Sequence, residues 1–164
     1  ILNERGFGES EKGTLILNSF ETLYLLYNNK LKLKKINKNI VFDELIQKYI
    51  QKNDDILTRF LLYRDLRTKG YVVKDGFGFG SDFRVYEKGT YGQKDAKFLI
   101  FAFNEGTQQK IGKLYKNIHE ITQMGKEPII AVIERRGEII YYKINKMNFL
   151  ENKSEFEMKD FNFN

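Results

Sequence analysis

The chain has 164 residues with 41% hydrophobic and 30% charged residues, enough apolar material for one compact domain or two small packed ones. It has no cysteine, which excludes disulfides, thiolate metal sites and a cysteine nucleophile, and it has no run of about 18 apolar residues that would span a membrane. Its net charge of +6 suits nucleic acid or an acidic partner, or equally a lysine-rich solvated surface. Ile1 to Ser10 is too polar for a secretory signal, the absence of an initiator Met suggests that residues before Ile1 are missing, and a cytoplasmic location is expected.

Residues 13–17 (GTLIL) predict a short strand after a glycine turn. Asn18 followed by Glu21 has capping-box spacing, so a helix is expected from Phe20 to Tyr27. Leu31, Leu33 and Ile36 alternate with lysines and predict a short exposed strand. Phe42, Leu45, Ile46, Tyr49 and Ile50 then have helical spacing, with Asp43 and Glu44 suited to the first turn. A further helix over residues 56–69 should turn Leu57, Phe60, Leu61 and Leu66 inward and stop at Gly70.

After Gly70 the period changes from helix to strand. Tyr71 to Val73, Phe83 to Tyr86, the apolar run 97–103, residues 128–133 and residues 138–144 all read as strands. A helix over 107–123 is expected between the third and fourth, with Ile111, Leu114, Tyr115, Ile118 and Ile121 inward. The fold class is therefore α+β (mixed α/β). A small N-terminal αβ domain, residues 1–69, is packed on a C-terminal domain, residues 70–164, with a central mixed sheet and a flanking helix. The glycines at 76, 78 and 80 lack the GK[ST] ending of a phosphate loop and lead into a strand rather than a helix, so they read as a turn.

The stretch YRDLRTKGYVVK (63–74), running on to GSDFRVY (80–86), resembles the opening of the catalytic domain of archaeal-type tRNA splicing endonucleases. LILNSFETLYLL (15–26) is similar to that family's N-terminal strand and first helix, and the final strand–turn–strand also matches. The resemblance implies an endonuclease-like C-terminal domain. It also implies a metal-independent, cofactor-free reaction that cuts pre-tRNA introns at bulge–helix–bulge sites, leaving 2′,3′-cyclic phosphate and 5′-hydroxyl ends. The RNA 2′-hydroxyl is the nucleophile, a Tyr the base, a His the acid, and a Lys stabilises the phosphorane.

Carried over residue by residue, the Tyr falls on Tyr86 and the Lys on Lys126, which follows Gly125 where the family usually has a basic residue. The His position falls on Asp95, in Asp95-Ala96-Lys97-Phe98-Leu99-Ile100. Aspartate ordinarily ionises near pH 3.9, so it lacks the proton that a general acid supplies for about 10²–10⁴-fold in rate. The only histidine, His119, sits mid-helix and reads as a surface or partly buried helix residue. The turn Glu134–Glu138, with Gly137 near its end, falls where the family inserts an acidic loop into a neighbouring subunit, although here it carries Arg135 and Arg136 as well.

The chain is thus expected to be a structural subunit, paired with a catalytic paralogue as two copies of each. An active endonuclease using Tyr86 and Lys126, and a non-catalytic RNA-binding module, stay open as alternatives.

Overall fold

The computed structural model describes residues 2–76 and 78–144. The C-terminal stretch beyond residue 144 and Phe77, within the glycine-rich turn, lie outside the described residues. The elements in order are β1 (Glu9–Glu11), β2 (Thr14–Ile16), α1 (Ser19–Tyr27), β3 (Leu33–Lys35), β4 (Lys38–Ile40), α2 (Phe42–Ile50), α3 (Ile56–Thr68), β5 (Val72–Asp75), β6 (Phe83–Tyr86), β7 (Phe98–Asn104), α4 (Ile111–Gln123), β8 (Glu127–Ile133) and β9 (Ile139–Lys143). The architecture is the expected mixed α+β one, with two small hairpins and three helices before a five-stranded sheet.

Strands β5 to β9 lie in sequence order, and every neighbouring pair is antiparallel except β7 and β8. A parallel pair needs a crossover, and α4 supplies it. Consequently β7 and β8 both start at the sheet end where β6 finishes. This is the one feature of the topology that the functional site depends on.

The capping box at α1 forms as its spacing predicts. The Asn18 side chain accepts from the Glu21 backbone N–H at 2.8 Å, and the Glu21 carboxylate accepts from the Asn18 N–H at 3.0 Å. Such a cap is worth about 1 kcal/mol. Helix α3 turns inward a wider face than its spacing suggested. Leu62 and Tyr63 are fully buried alongside Phe60 and Leu66, while Leu57 is 44% exposed. The reason is that α3 is sandwiched between α1 and the sheet, so two of its faces bury apolar groups and the single-stripe pattern breaks down. Similarly, α4 begins at Ile111 rather than 107, and Ile111 is 63% exposed on its first turn.

One apolar core joins α1, α2, α3 and the inner face of the sheet. It includes Leu23, Leu25, Phe60, Tyr63, Val73, Phe83, Val85, Ile100 and Ala131. A second, smaller core of Leu99, Phe101, Ile118 and Ile121 lies under α4 on the other face of the sheet.

The charged residues of the 63–74 stretch are tied into this packing. The Arg67 guanidinium lies 3.8 Å from the Phe7 ring centroid and donates to the Arg5 carbonyl at 2.9 Å. Asp65 accepts a 2.5 Å hydrogen bond from the Tyr141 hydroxyl. Burial and that carboxylate both push the Tyr141 pKa upward. Lys74 is buried on β5, donating to the Glu21 carboxylate at 3.0 Å and to the Gly8 carbonyl at 2.9 Å. This ion pair links the first helix to the first strand of the main sheet.

Candidate active site and its assignment to a family

The end of β6 and the starts of β7 and β8 are laced together by backbone bonds. Lys97 N–H donates to the Val85 carbonyl at 3.1 Å, and Glu127 N–H donates to the Lys97 carbonyl at 2.9 Å. Tyr86, the Asp95–Lys97 segment and Lys126 therefore sit on three adjacent chain segments at one end of the sheet. Residues 40 positions apart in sequence are brought together because β7 and β8 run parallel.

Tyr86 is half-buried, and its ring meets that of Tyr91 edge-on at 4.9 Å. An open cleft of about 540 Å³ is lined by Tyr86, Tyr91, Gly92, Gln93, Lys94 and Asp95. Asp95 is exposed in it, and the following Ala96 is buried and anchors the loop. Lys126 immediately precedes β8, and its ammonium donates a 2.6 Å hydrogen bond to the Ala96 carbonyl. That leaves the remaining ammonium protons available to an anionic ligand, since a lysine carries three donors.

The neighbouring charges are paired on the surface. Lys97 binds Glu87 at 2.6 Å, which raises the Lys97 pKa. Lys143 binds Glu127 at 2.7 Å, and that hydrogen bond lowers the Glu127 pKa. Among the described residues, no group of three or more His, Asp or Glu side chains is placed to hold a metal ion. No described helix is long and apolar enough to cross a membrane.

Gly125 has a structural reason to be glycine. It adopts φ +72° just past α4, where its N–H bonds the Thr122 carbonyl and the Lys126 N–H bonds the Ile121 carbonyl. That pattern closes a helix with a left-handed residue, and glycine takes the conformation at no steric cost. The closure delivers Lys126 to the start of β8.

His119 does not join the cleft residues. It is exposed on α4, stacked on Tyr115 with ring centroids 6.3 Å apart, and one ring nitrogen lies 2.9 Å from the Gln123 amide. The turn after β8 is closed by Glu134 N–H to the Glu138 carbonyl at 2.9 Å and Gly137 N–H to the Glu134 carbonyl at 2.8 Å, with Gly137 at φ +82°. Sequence reasoning missed Tyr91, Gln93 and Lys94. They lie in a loop between two strands, where no periodicity marks which side chains face a cleft.

A family model described as the tRNA intron endonuclease catalytic C-terminal domain matches residues 56–141, and the tRNA intron endonuclease N-terminal domain matches residues 1–46. The chain belongs to the tRNA intron endonuclease family. It is 32% identical over 149 residues to a tRNA-splicing endonuclease of Thermococcus onnurineus, covering 91% of this chain and 86% of that protein. It is 33% identical over 144 residues to one of Methanococcus maripaludis, covering 87% and 81% respectively. A Pyrococcus abyssi tRNA-splicing endonuclease is 28% identical over 149 residues, covering 91% and 86%. These matches to tRNA-splicing endonucleases support a role for this family member in intron cleavage.

Proposed function

We propose that this endonuclease chain is the structural subunit of a hetero-oligomeric tRNA splicing endonuclease, with cleavage carried by a paralogous partner. One observation carries the reading. Asp95, on which the resemblance places the family's histidine, shares a cleft with Tyr86, Lys126 bonds the carbonyl of the adjacent Ala96, and His119 lies on α4 bound to Gln123.

The reaction proposed for the assembly is attack of the 2′-hydroxyl on the adjacent phosphorus, which expels the 5′-oxygen and leaves a 2′,3′-cyclic phosphate. The new O–P bond forms as the old one breaks. The proton of the 2′-hydroxyl passes to a base, and the leaving oxygen takes one from an acid. In this chain Tyr86 keeps the base position, and Lys126 keeps the position that stabilises the phosphorane. Asp95 brings a carboxylate to the leaving-group side, where negative charge is developing. The site is a catalytic one without its acid.

The assembly is proposed to hold two copies of each subunit and to bind pre-tRNA. The turn at Glu134, Gly137 and Glu138 is the proposed subunit contact. It joins β8 to β9, an edge strand with Ile140 and Tyr142 exposed.

The test is a cleavage assay on a bulge–helix–bulge RNA, with this chain alone and with its paralogue. The pair should cut, and Tyr86→Phe in this chain should leave the rate within about twofold. Robust cleavage by this chain alone, abolished by Tyr86→Phe, would overturn the reading in favour of an active endonuclease.

A further inference from the structure

The positive charge of this chain is not spread over its surface. Residues 30–38 hold five lysines and no acid, and the sequence has no Asp or Glu between Glu21 and Asp43. Outside that segment the chain carries 23 Lys and Arg against 22 Asp and Glu. Five of the six net charges therefore sit on the β3–β4 hairpin and the residues leading into it.

The hairpin is built to display them. Leu31, Leu33 and Ile40 pack against the main core, which turns Lys32 and Lys34 to the opposite, solvent face, because side chains alternate along a strand. All five lysines are exposed. Lys35 and Lys38 are directly opposite each other in the register, an arrangement of like charges that weakens a hairpin. Lys38 is partly offset by Glu44 at 2.9 Å, while Lys30, Lys32, Lys34 and Lys35 have no acidic partner among the described residues. At the tip, Ile36 is 90% exposed with φ +54°, a conformation that a β-branched residue rarely adopts. A free-standing fold gains nothing from such a concentration of unpaired charge.

We infer that the β3–β4 hairpin is a phosphate-backbone docking site for RNA, through which the N-terminal part of the chain grips the substrate away from the Tyr86 cleft. The inference rests on the family reading for the choice of RNA as the polyanion. The hairpin's chemistry decides the mode of contact. It has no arginine fork to read a base edge and no aromatic ring on which a base could stack, so it contacts phosphates without sequence preference. A protein partner with an acidic face is the competing occupant.

The test uses the full chain, alone and assembled with its paralogue. Lys32, Lys34, Lys35 and Lys38 are changed together to Gln, and a control changes Lys110, Lys113 and Lys116 on and beside α4. Binding to a 20-base-pair RNA duplex and to a bulge–helix–bulge RNA is measured over a range of KCl concentrations. Each phosphate contact adds about 0.7–0.9 to the log–log salt slope, so the hairpin variant should lose roughly 3 units of slope and bind on the order of 10²–10³-fold more weakly near 0.1 M salt.

The control should lose less than half as much slope. Circular dichroism should show the hairpin variant folded, since all four positions are exposed. Equal losses in the two variants would mean the charge acts diffusely and would overturn the inference. So would unchanged RNA binding with lost subunit assembly, which would mark the hairpin as a protein contact. If the hairpin controls duplex binding but the assembly cuts no intron, the functional reading fails and the docking site stands. If introns are cut at an unchanged KM by the variant, the docking site fails and the functional reading stands.

Discussion

The Lys126 ammonium donates a 2.6 Å hydrogen bond to the carbonyl of Ala96, the residue directly after Asp95. Lys126 thus holds in place the loop that carries Asp95, which lines the cleft together with Tyr86. If position 95 is where the proposed function puts the missing proton donor, Asp95→His should restore a working site. With the paralogue's own histidine removed, the assembly carrying Asp95→His should cleave bulge–helix–bulge RNA on the order of 10²-fold faster than without it. The gain should disappear on adding Tyr86→Phe. A gain that survives Tyr86→Phe would show that the Tyr86 cleft is not where cutting occurs.

Lys74 and Glu21 form a buried pair between β5 and α1. Removing one partner leaves the other as an unpaired buried charge, which typically costs about 3–5 kcal/mol. Lys74→Met should therefore destabilise strongly in urea unfolding. Changing Glu21 to Gln as well should recover part of the loss, because glutamine can still accept from the Asn18 N–H. A single-mutant cost below about 1 kcal/mol would mean that water reaches the pair.

Tyr63 is fully buried among Phe20, Tyr24 and Phe83, and its hydroxyl meets no hydrogen-bond partner among the described residues. An unmatched buried polar group costs about 1–3 kcal/mol. Tyr63→Phe keeps the ring and drops that group, so thermal stability should hold or rise. Tyr63→Ala, which empties the same space, should lose about 3–5 kcal/mol. A clear loss in Tyr63→Phe would reveal a partner for the hydroxyl, such as an internal water.

Asp82 accepts from the Ala102 N–H at 2.7 Å and pairs with Arg59 at 2.8 Å, yet burial outweighs both and raises its carboxyl pKa. The folded state then holds this proton more tightly than the unfolded chain does. Its stabilising effect is present below the ordinary carboxylate range and is lost as pH rises through the elevated value. Asp82→Asn does not titrate. The melting-temperature difference, Asn variant minus parent, should therefore shift in favour of Asn between about pH 3 and pH 7. A shift in the opposite direction would mean that Arg59 dominates at this position.

Much of the architecture was legible because it is written locally. The Asn18–Glu21 box, the turn at Gly70 and the change from helical to strand periodicity need only neighbours in sequence. Over the hairpin at residues 33–40 the alternation with lysines suggests only one short exposed strand, with Ile36 as its third alternating apolar residue. It is instead the tip, and the second strand, Lys38–Ile40, is too short and polar to show a period. Helix α3 buries Leu62 and Tyr63 beyond the expected Phe60 and Leu66, since a helix packed on two sides has no single stripe.

The sequence by itself determined the residues of the candidate site: a Tyr at 86, a Lys at 126, an Asp at 95 and no second histidine besides His119. Those identities are covalent facts that folding cannot alter. Only the tertiary structure decided that the three segments meet, because their convergence depends on β7 and β8 running parallel through the α4 crossover. It also decided that His119 stays on the outside of α4, and that five lysines unremarkable in composition are all displayed on one hairpin and the residues leading into it. Each of these follows from long-range pairing and packing, which set where a side chain points and have no signature in the residue that carries it.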